Sequence, residues 1–209
     1  MRVLITGAGR GIGAGLLTAY RGRGAEAFGT VRGAPGAGEI GMDLRDPASV
    51  AAAGQAFGGR SLDLLICNAG VLPRGEVPEL WAEGFAVNVT GVFLTVQAFL
   101  PALRQAHRAK IAILASAMGS SARAPGGSYI YRASKAAAIN LGRNLATDLR
   151  RDGIAVGIYH PGWVRTDMGG TSAEITVAQS VNGLVARIEA LSPATTGVFE
   201  DWAGQPVPF

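Results

Sequence analysis

The chain has 209 residues, a hydrophobic fraction of 48% and a formal net charge of +4, which favours one domain with a sizeable core. The chain has a single cysteine, Cys67, and does not begin with the residue order of a signal peptide. It also has no uninterrupted apolar run near the roughly 18 residues of a membrane span. These features predict a cytoplasmic protein. Arginines are scattered with no run above two, whereas a nucleic-acid interface usually clusters them, so nucleic acid is not an expected partner.

Short β-branched apolar segments alternate with longer helical patterns, which predicts βαβ units and a parallel sheet. The predicted strands read RVLITG, AEAFGTVR, GEIGMDL, LDLLICNAG, AKIAILAS and GIAVGIYHPG, with a short last strand at 197–200. The predicted helices cover about 11–21, a segment begun by Asp46 and Pro47, 78–107 with a break near Asn88 and Gly91, 127–151, and 174–191. We therefore expect one α/β domain over residues 1–209: a Rossmann-type doubly wound parallel sheet of about seven strands, with helices on both faces.

The sequence TGAGRGIG, residues 6–13, follows the first predicted strand and begins the first helix. That is the context of a dinucleotide-binding loop. Glycine lets the backbone turn with positive φ and lets a ligand approach the main chain, and the helix N-terminus offers N–H groups to a pyrophosphate. The pattern is T-G-x-x-x-G-x-G, and Gly9 adds a further glycine without completing G-x-G-x-x-G, because Ile12 stands at the last position of that pattern. A glycine-rich turn without a ligand is the alternative.

The end of the second strand indicates which nicotinamide cofactor the loop takes. An NAD-selective site usually has an acidic residue about 20 residues after the loop, whereas this chain has Thr30, Val31 and Arg32 there. Arg10, inside the glycine loop, is a second cation for the same place, and arginine matches a phosphate well. We expect NADP(H) in preference to NAD(H), with simple solvation of each arginine as the alternative. Asp43, after the third strand, is placed to accept from an adenine amino group.

Four polar residues suggest the chemistry: Asn88, Ser116, Tyr131 and Lys135. Ser116 ends the fifth strand, at the edge where open α/β sheets bind ligands. Tyr131 and Lys135, one of only two lysines, lie four residues apart and share a helix face. A phenol has an ordinary pKa near 10, too high for efficient acid–base chemistry at neutral pH, and a nearby ammonium lowers it. This predicts proton donation to the alkoxide that develops when a ketone is reduced by hydride.

Five motifs occur in order along the chain: Thr6-Gly7-x-x-x-Gly11-x-Gly13, Asn68-Ala69-Gly70, Asn88 in NVTG, Ser116 in SAMG, and Tyr131-x-x-x-Lys135. In order and spacing they resemble the short-chain dehydrogenase/reductase family, over essentially the whole chain. HPGWVRTDMGG and the ending GVFEDWAGQPVPF are similar to its small branch of C-factor-like and sniffer-like carbonyl reductases. Two features depart from the family pattern. Cys67 stands where many members have asparagine, and Ser116 and Tyr131 are separated by fifteen residues, slightly more than is common.

The resemblance implies a role for each residue. Tyr131 would be the acid–base and Ser116 would orient the substrate carbonyl, with Ser120 as the less favoured serine. Lys135 would hold the nicotinamide ribose and lower the phenol pKa, and Asn88 would anchor a water in a proton relay. The residues implied in cofactor binding are Thr6, Gly7, Arg10, Gly11, Ile12, Gly13, Arg32, Asp43, Leu44, Asn68, Ala69, Gly70, Tyr131, Lys135, Pro161, Gly162, Val164 and Thr166.

The sequence therefore predicts an NADP(H)-dependent carbonyl reductase or alcohol dehydrogenase. A cofactor-binding signalling or regulatory protein with little turnover is the alternative. The short lid, about 167–178, predicts an open pocket for small carbonyl or alcohol substrates, with Trp163 as the best wall residue. Two histidines and one cysteine without ligand spacing predict no metal site. No membrane partner is expected. The family resemblance further implies pairing through helices 78–107 and 127–151 to give a homodimer or homotetramer, with a monomer as the alternative.

Overall fold

Seven parallel strands form one sheet in the computed structural model, which describes residues 1–209. The strands are β1 Arg2–Ile5, β2 Glu26–Val31, β3 Glu39–Gly41, β4 Leu64–Cys67, β5 Lys110–Leu114, β6 Ala155–His160 and β7 Phe199–Asp201. The helices are α1 Gly11–Gly22, α2 Pro47–Phe57, α3 Pro78–Phe85, α4 Gly91–Leu103, α5 Tyr129–Asp148 and α6 Val177–Ala190. The predicted fold, a single Rossmann-type domain, is confirmed.

The central strands β1, β4 and β5 are apolar at every position except their first residues Arg2 and Lys110, because helices cover both faces of the sheet. Successive residues point to opposite faces, so Val3 and Leu4 of β1 belong to two different core clusters. On one face, Val3 packs in a cluster with Leu16 of α1 and Leu184 of α6. On the other face, Leu4 packs in a cluster with residues of α2 and α4, such as Phe99. This burial on both faces explains why the strand sequences show continuous apolar runs in place of alternating polar and apolar residues.

The strand order is β3-β2-β1-β4-β5-β6-β7. The chain builds outward from β1 through β2 and β3, and then returns to β4 on the other side of β1. The order therefore reverses between β1 and β4, and open α/β sheets bind ligands in the crevice at the carboxyl ends of such strands. Ile5 of β1 pairs with Ile66 of β4, so the residues that follow each strand meet at this crevice.

Local signals place the helices close to their predicted bounds. The Asp46 side chain accepts a hydrogen bond from the Ala48 N–H at the start of α2, and α6 begins with a Thr176–Gln179 capping box. The helix predicted to reach residue 107 ends at Leu103. The physical reason is a tertiary contact: the Ala102 carbonyl accepts from the Leu62 N–H, and the chain then turns into β5. Similarly, α5 ends at Asp148 and a 3-10 turn follows.

The helical segment Pro78–Leu103 is interrupted by a π turn at Ala86–Thr90, where the sequence predicted a break. Its most apolar window has a mean hydropathy of 1.6, so by length and composition alone it qualifies to cross a membrane. In the fold, 56% of that window is buried, and Val96 and Phe99 pack in the core. Packing against the sheet accounts for this apolar composition.

Candidate active site

Two polar side chains tie the ends of β1 and β4 together at the crevice. Thr6 Oγ1 accepts hydrogen bonds from the N–H groups of Asn68 and Ala69, both at 3.0 Å. Asn68 Nδ2 donates to the carbonyls of Thr6 at 2.8 Å and Gly7 at 3.1 Å. Both side chains therefore hold the ends of β1 and β4 together through bonds to the main chain.

The glycine loop brings the bare main chain to the start of α1. Gly7 and Gly11 have φ angles of +66° and +57°, a region that favours glycine. A Cβ at Gly13 would lie 2.3 Å from the Gly7 carbonyl oxygen and 2.5 Å from Asn68 Nδ2. Arg10, at the N-cap, makes no side-chain capping bond, so the first N–H groups of α1 lack a side-chain partner. The loop fits the diphosphate of a dinucleotide.

At the far end of the crevice, Asp43 is held by Arg45, a residue that the sequence analysis missed. Arg45 Nη2 donates to Asp43 Oδ2 at 2.6 Å, and Nε donates to Oδ1 at 3.0 Å. These bonds, with nearby Arg32, lower the pKa of Asp43 to about 2. Arg32 itself is exposed and forms no ion pair. The Leu44 side chain is buried in the core, so only its main chain remains available to a ligand.

The start of α5 brings Tyr131 to Ser116 at the end of β5. The Ser116 hydroxyl lies near the Tyr131 phenol and acts to lower its pKa, and the Ser116 residue is only 5% exposed. A Cβ at Gly119 would lie 2.5 Å from the Lys135 carbonyl carbon, so glycine in the SAMG motif permits this close approach of the turn to α5. The buried hydroxyl of Ser120, the alternative serine, has no hydrogen-bond partner.

Lys135 lies beneath the phenol, with Nζ 5.7 Å from the centroid of the Tyr131 ring. Nζ donates one hydrogen bond, to the Leu114 carbonyl at 2.9 Å, which leaves two ammonium donors free. A Cβ at Gly70 would lie 3.4 Å from Nζ, so the ammonium faces the loop after β4. Burial lowers the pKa of Lys135 to about 8.

The direction of the Tyr131 pKa differs from the one predicted from sequence. Burial raises the pKa of Tyr131 above its ordinary value, and the nearby Ser116 hydroxyl partly offsets this rise. Lys135 was expected to lower the phenol pKa. Its ammonium lies 5.7 Å from the ring centroid, and burial of the phenol sets the direction. The phenol is therefore held in its protonated form at neutral pH.

The side chain of Asn88 is bonded to the protein on both sides of the crevice floor. Oδ1 accepts from the Val71 N–H at 2.9 Å, and Nδ2 donates to the Val71 carbonyl at 2.9 Å and to Ser134 Oγ at 3.0 Å. The residue is 1% exposed. Asn88 thus connects the loop after β4 to the turn of α5 that carries Tyr131 and Lys135, and its part in a proton relay stays a prediction.

The buried charge of Lys135 gives a testable effect on stability. Its pKa falls from 10.5 to about 8, so between these values the unfolded chain binds more protons and the free energy of unfolding rises with pH. We expect Lys135→Met to raise that free energy at pH 7 by up to about 3 kcal/mol, with the gain shrinking toward pH 10. Melting temperatures of both proteins at pH 7 and pH 9.5 check this.

The other lysine provides a contrast for this prediction. Lys110 Nζ donates to the carbonyls of Ile188 at 3.1 Å and Glu189 at 2.7 Å, at the end of α6. Lys110→Met is expected to lower stability at both pH values because it removes these bonds. A gain from Lys135→Met that did not change with pH would contradict the assignment of a buried charge.

The segment after β6 closes the other side of the crevice. The Thr166 methyl carbon lies 3.4 Å from where a Gly11 Cβ would stand, and Asp167 forms an ion pair with Arg10. Trp163 is 48% exposed and donates from Nε1 to the Gly169 carbonyl at 2.8 Å.

The remaining residues implied at this side are main-chain or packing groups. The Pro161 carbonyl accepts from Ser180 Oγ at 2.6 Å, Gly162 has a φ of +86°, Val164 is buried, and the Ile12 side chain packs against the core. No group of three or more His, Cys, Asp or Glu side chains is arranged to hold a metal ion.

Comparison with known proteins gives matches over most of the chain. A family model described as short chain dehydrogenase matches residues 1–176. C-signal of Myxococcus xanthus is 41% identical over 154 residues, which cover 71% of this chain and 93% of that relative. The NADPH-bound carbonyl reductase from chicken fatty liver superposes with a TM-score of 0.94 and 32% identity, covering 100% of this chain and 98% of that chain. Carbonyl reductase Sniffer of D. melanogaster superposes with a TM-score of 0.93 and 28% identity, covering 100% and 99%.

Proposed function

The chain belongs to the short-chain dehydrogenase family, and from that membership we propose that it is an NADP(H)-dependent oxidoreductase that interconverts a carbonyl and an alcohol. One observation carries the proposal. The Tyr131 phenol, which lies near the Ser116 hydroxyl and above the buried ammonium of Lys135, stands at the same edge of the sheet as the bare glycine loop. Proton donor, carbonyl-orienting donor and dinucleotide cradle thus share one crevice.

The residues present fit a dinucleotide along the whole crevice. The uncapped N–H groups of α1 would hold the diphosphate. The two free donors of Lys135 would hold the nicotinamide ribose, and Asp43, fixed by Arg45, would accept from the adenine amino group. The bound reduced nicotinamide supplies a hydride to the substrate carbon.

The side chains at the other end of the crevice provide the proton and the hydrogen bonds. Ser116 and Tyr131 both donate to the substrate oxygen, so negative charge that develops on it is stabilised. The phenol of Tyr131 is protonated at neutral pH, so it has a proton to donate, although burial raises its pKa and makes it a weaker acid. Once the phenolate forms, the ammonium of Lys135 beneath the ring stabilises it. Burial of these groups excludes water and strengthens each of these interactions.

Preference for NADP(H) over NAD(H) is part of the proposal. Arg32 supports it, because this cation at the end of β2 is exposed and forms no ion pair. The similar carbonyl reductase from chicken fatty liver also has NADPH bound. NADP(H) differs from NAD(H) by its 2′-phosphate. The Arg32 guanidinium beside that phosphate would therefore favour the binding of NADP(H).

Titration with each cofactor tests the proposal. We expect NADPH to quench the intrinsic fluorescence at lower concentration than NADH, and Arg32→Ala to weaken NADPH binding about tenfold with little effect on NADH. Arg108→Ala is the matched control, since Arg108 is exposed and follows α4 in the connection to β5, away from the crevice. Equal affinities for both cofactors would contradict the assignment of Arg32, and no binding of either would contradict the proposed function.

The short segment between β6 and α6 supports loose selection among small carbonyl compounds. Trp163, which follows the end of β6, is 48% exposed. Tyr129, at the start of α5, is 55% exposed. An apolar and exposed mouth provides few polar groups that would reject one carbonyl in favour of another. A panel of simple aldehydes and diketones would therefore give turnover with several members.

A cofactor-binding regulator is a second candidate, and one observation favours it. The relative that is 41% identical to the chain carries the name C-signal. The same crevice would then bind NADP(H) with little turnover. Tight NADPH binding without reduction of any carbonyl in the panel would support this second candidate over the first.

A further inference from the structure

Arg10 lies between the end of β2 and the segment that follows β6. On one side, a Cβ at Gly9 would lie 3.7 Å from Val31 Cγ1, so the glycine loop adjoins the strand end that carries Arg32. On the other side, the Arg10 guanidinium forms an ion pair with Asp167. The two members of this pair are separated by 157 residues in the chain.

Asp167 reaches Arg10 from a turn with its own hydrogen bonds. The Gly170 N–H donates to the Thr166 carbonyl at 2.8 Å, and the Gly169 N–H donates to Thr166 Oγ1 at 3.1 Å. Thr166 also packs on the glycine loop, since its methyl lies 3.4 Å from a Cβ placed at Gly11. The ion pair is therefore one of two contacts between these segments.

We propose that Asp167 is a specificity-determining residue, because it competes with the 2′-phosphate of NADP(H) for the guanidinium of Arg10; this inference rests on the proposed function. Arg10 can pair with Asp167 on one side or with a 2′-phosphate beside Arg32 on the other side. A 2′-phosphate beside Arg32 draws Arg10 away from Asp167, whereas NAD(H), which has no 2′-phosphate, leaves the pair in place. Asp167 thus weakens the binding of NADP(H) and not that of NAD(H), so it reduces the ratio of the two affinities.

The expected size of the effect follows from the exposure of the pair. The Arg10 and Asp167 side chains are 71% and 78% exposed, and ion pairs of this kind change an equilibrium constant by a factor of at most about five. We therefore expect Asp167→Asn to tighten NADPH binding about twofold to fivefold at low salt, with no change for NADH. The gain should fall as salt rises, because ions screen an exposed pair.

The test is a set of fluorescence titrations of the full chain with NADPH and NADH. The variants are Asp167→Asn, Arg10→Ala and the double variant. Glu174→Gln is the matched control, since Glu174 is an exposed carboxylate in the same segment that forms no ion pair. We expect Asp167→Asn to tighten NADPH binding in the native background and to have no effect when Arg10 is alanine.

Two results would overturn the inference while leaving the proposed function intact. One is an equal gain from Asp167→Asn and Glu174→Gln, which would indicate a general charge effect on an anionic ligand. The other is a gain from Asp167→Asn that persists in the Arg10→Ala background. A failure of the native protein to bind either cofactor would instead overturn the proposed function, and the inference with it. Unchanged melting temperatures of the variants confirm that folding is not the cause of any difference.

Discussion

Tyr131→Phe is expected to lower the rate of carbonyl reduction by about 10²–10⁴-fold and to leave NADPH affinity nearly unchanged. The phenol oxygen is the group that donates a proton in the proposed reaction, and phenylalanine keeps the ring above Lys135 while removing that oxygen. Single-turnover reduction of a diketone, followed by loss of nicotinamide absorbance, measures the rate. Fluorescence titration of the same variant measures the affinity.

Tyr129→Phe is the matched control for this experiment. Tyr129 lies two residues earlier on α5, is 55% exposed and makes no side-chain hydrogen bond, so its loss should change the rate by less than about threefold. A Tyr131→Phe variant that retained most of the native rate would show that another group supplies the proton. The assignment of Tyr131 would then fail, while the fold and the cofactor crevice would stand.

The second large effect is expected at Gly13. A Cβ there would lie 2.3 Å from the Gly7 carbonyl oxygen and 2.5 Å from Asn68 Nδ2, and main-chain atoms in a tight loop have little freedom to retreat. We expect Gly13→Ala to lower the free energy of unfolding by about 1–3 kcal/mol, which corresponds to a melting temperature lower by roughly 3–10 °C for a chain of this size. NADPH affinity should fall at least about tenfold, because the displaced loop forms the cradle for the diphosphate.

Gly22→Ala provides the comparison within the same helix. Gly22 is the last residue of α1, and a Cβ there would meet nothing within 4 Å. Alanine at this position should leave NADPH affinity unchanged and be neutral or stabilising by up to about 1 kcal/mol. If Gly13→Ala and Gly22→Ala behaved alike in thermal melts and in titrations, the close approach of Gly13 to the Gly7 carbonyl would not matter for the cradle.

The parts of the site that the sequence predicted are those encoded by short-range patterns. The glycine loop lies within residues 6–13, and Tyr131 and Lys135 are one helical turn apart. Ser116 was placed by its position at the end of a strand, and the edge of a parallel sheet gathers all strand ends on one side. Strands buried on both faces gave a clear apolar signal, so the fold was predicted almost completely.

The parts that the sequence did not predict depend on contacts between distant segments or on the balance of opposing effects. The pairing of Arg10 with Asp167 joins residues 157 apart, and no local pattern indicates it. The side-chain bonds of Asn88 to Val71 and Ser134 are set by how α5 packs on the π turn. The direction of the Tyr131 pKa depends on burial, which outweighs a cation whose sequence spacing alone suggested the opposite.

The most direct test of the proposed function follows the hydride itself. The native protein would be incubated with NADPH carrying deuterium at the transferable C4 position and with a diketone, and the alcohol product analysed by mass spectrometry. We predict one deuterium on the carbinol carbon of the product, and none when Tyr131→Phe replaces the native protein over the same time. Tight binding of NADPH with no deuterated alcohol from any carbonyl compound would contradict the assignment as an oxidoreductase and favour a cofactor-binding regulator.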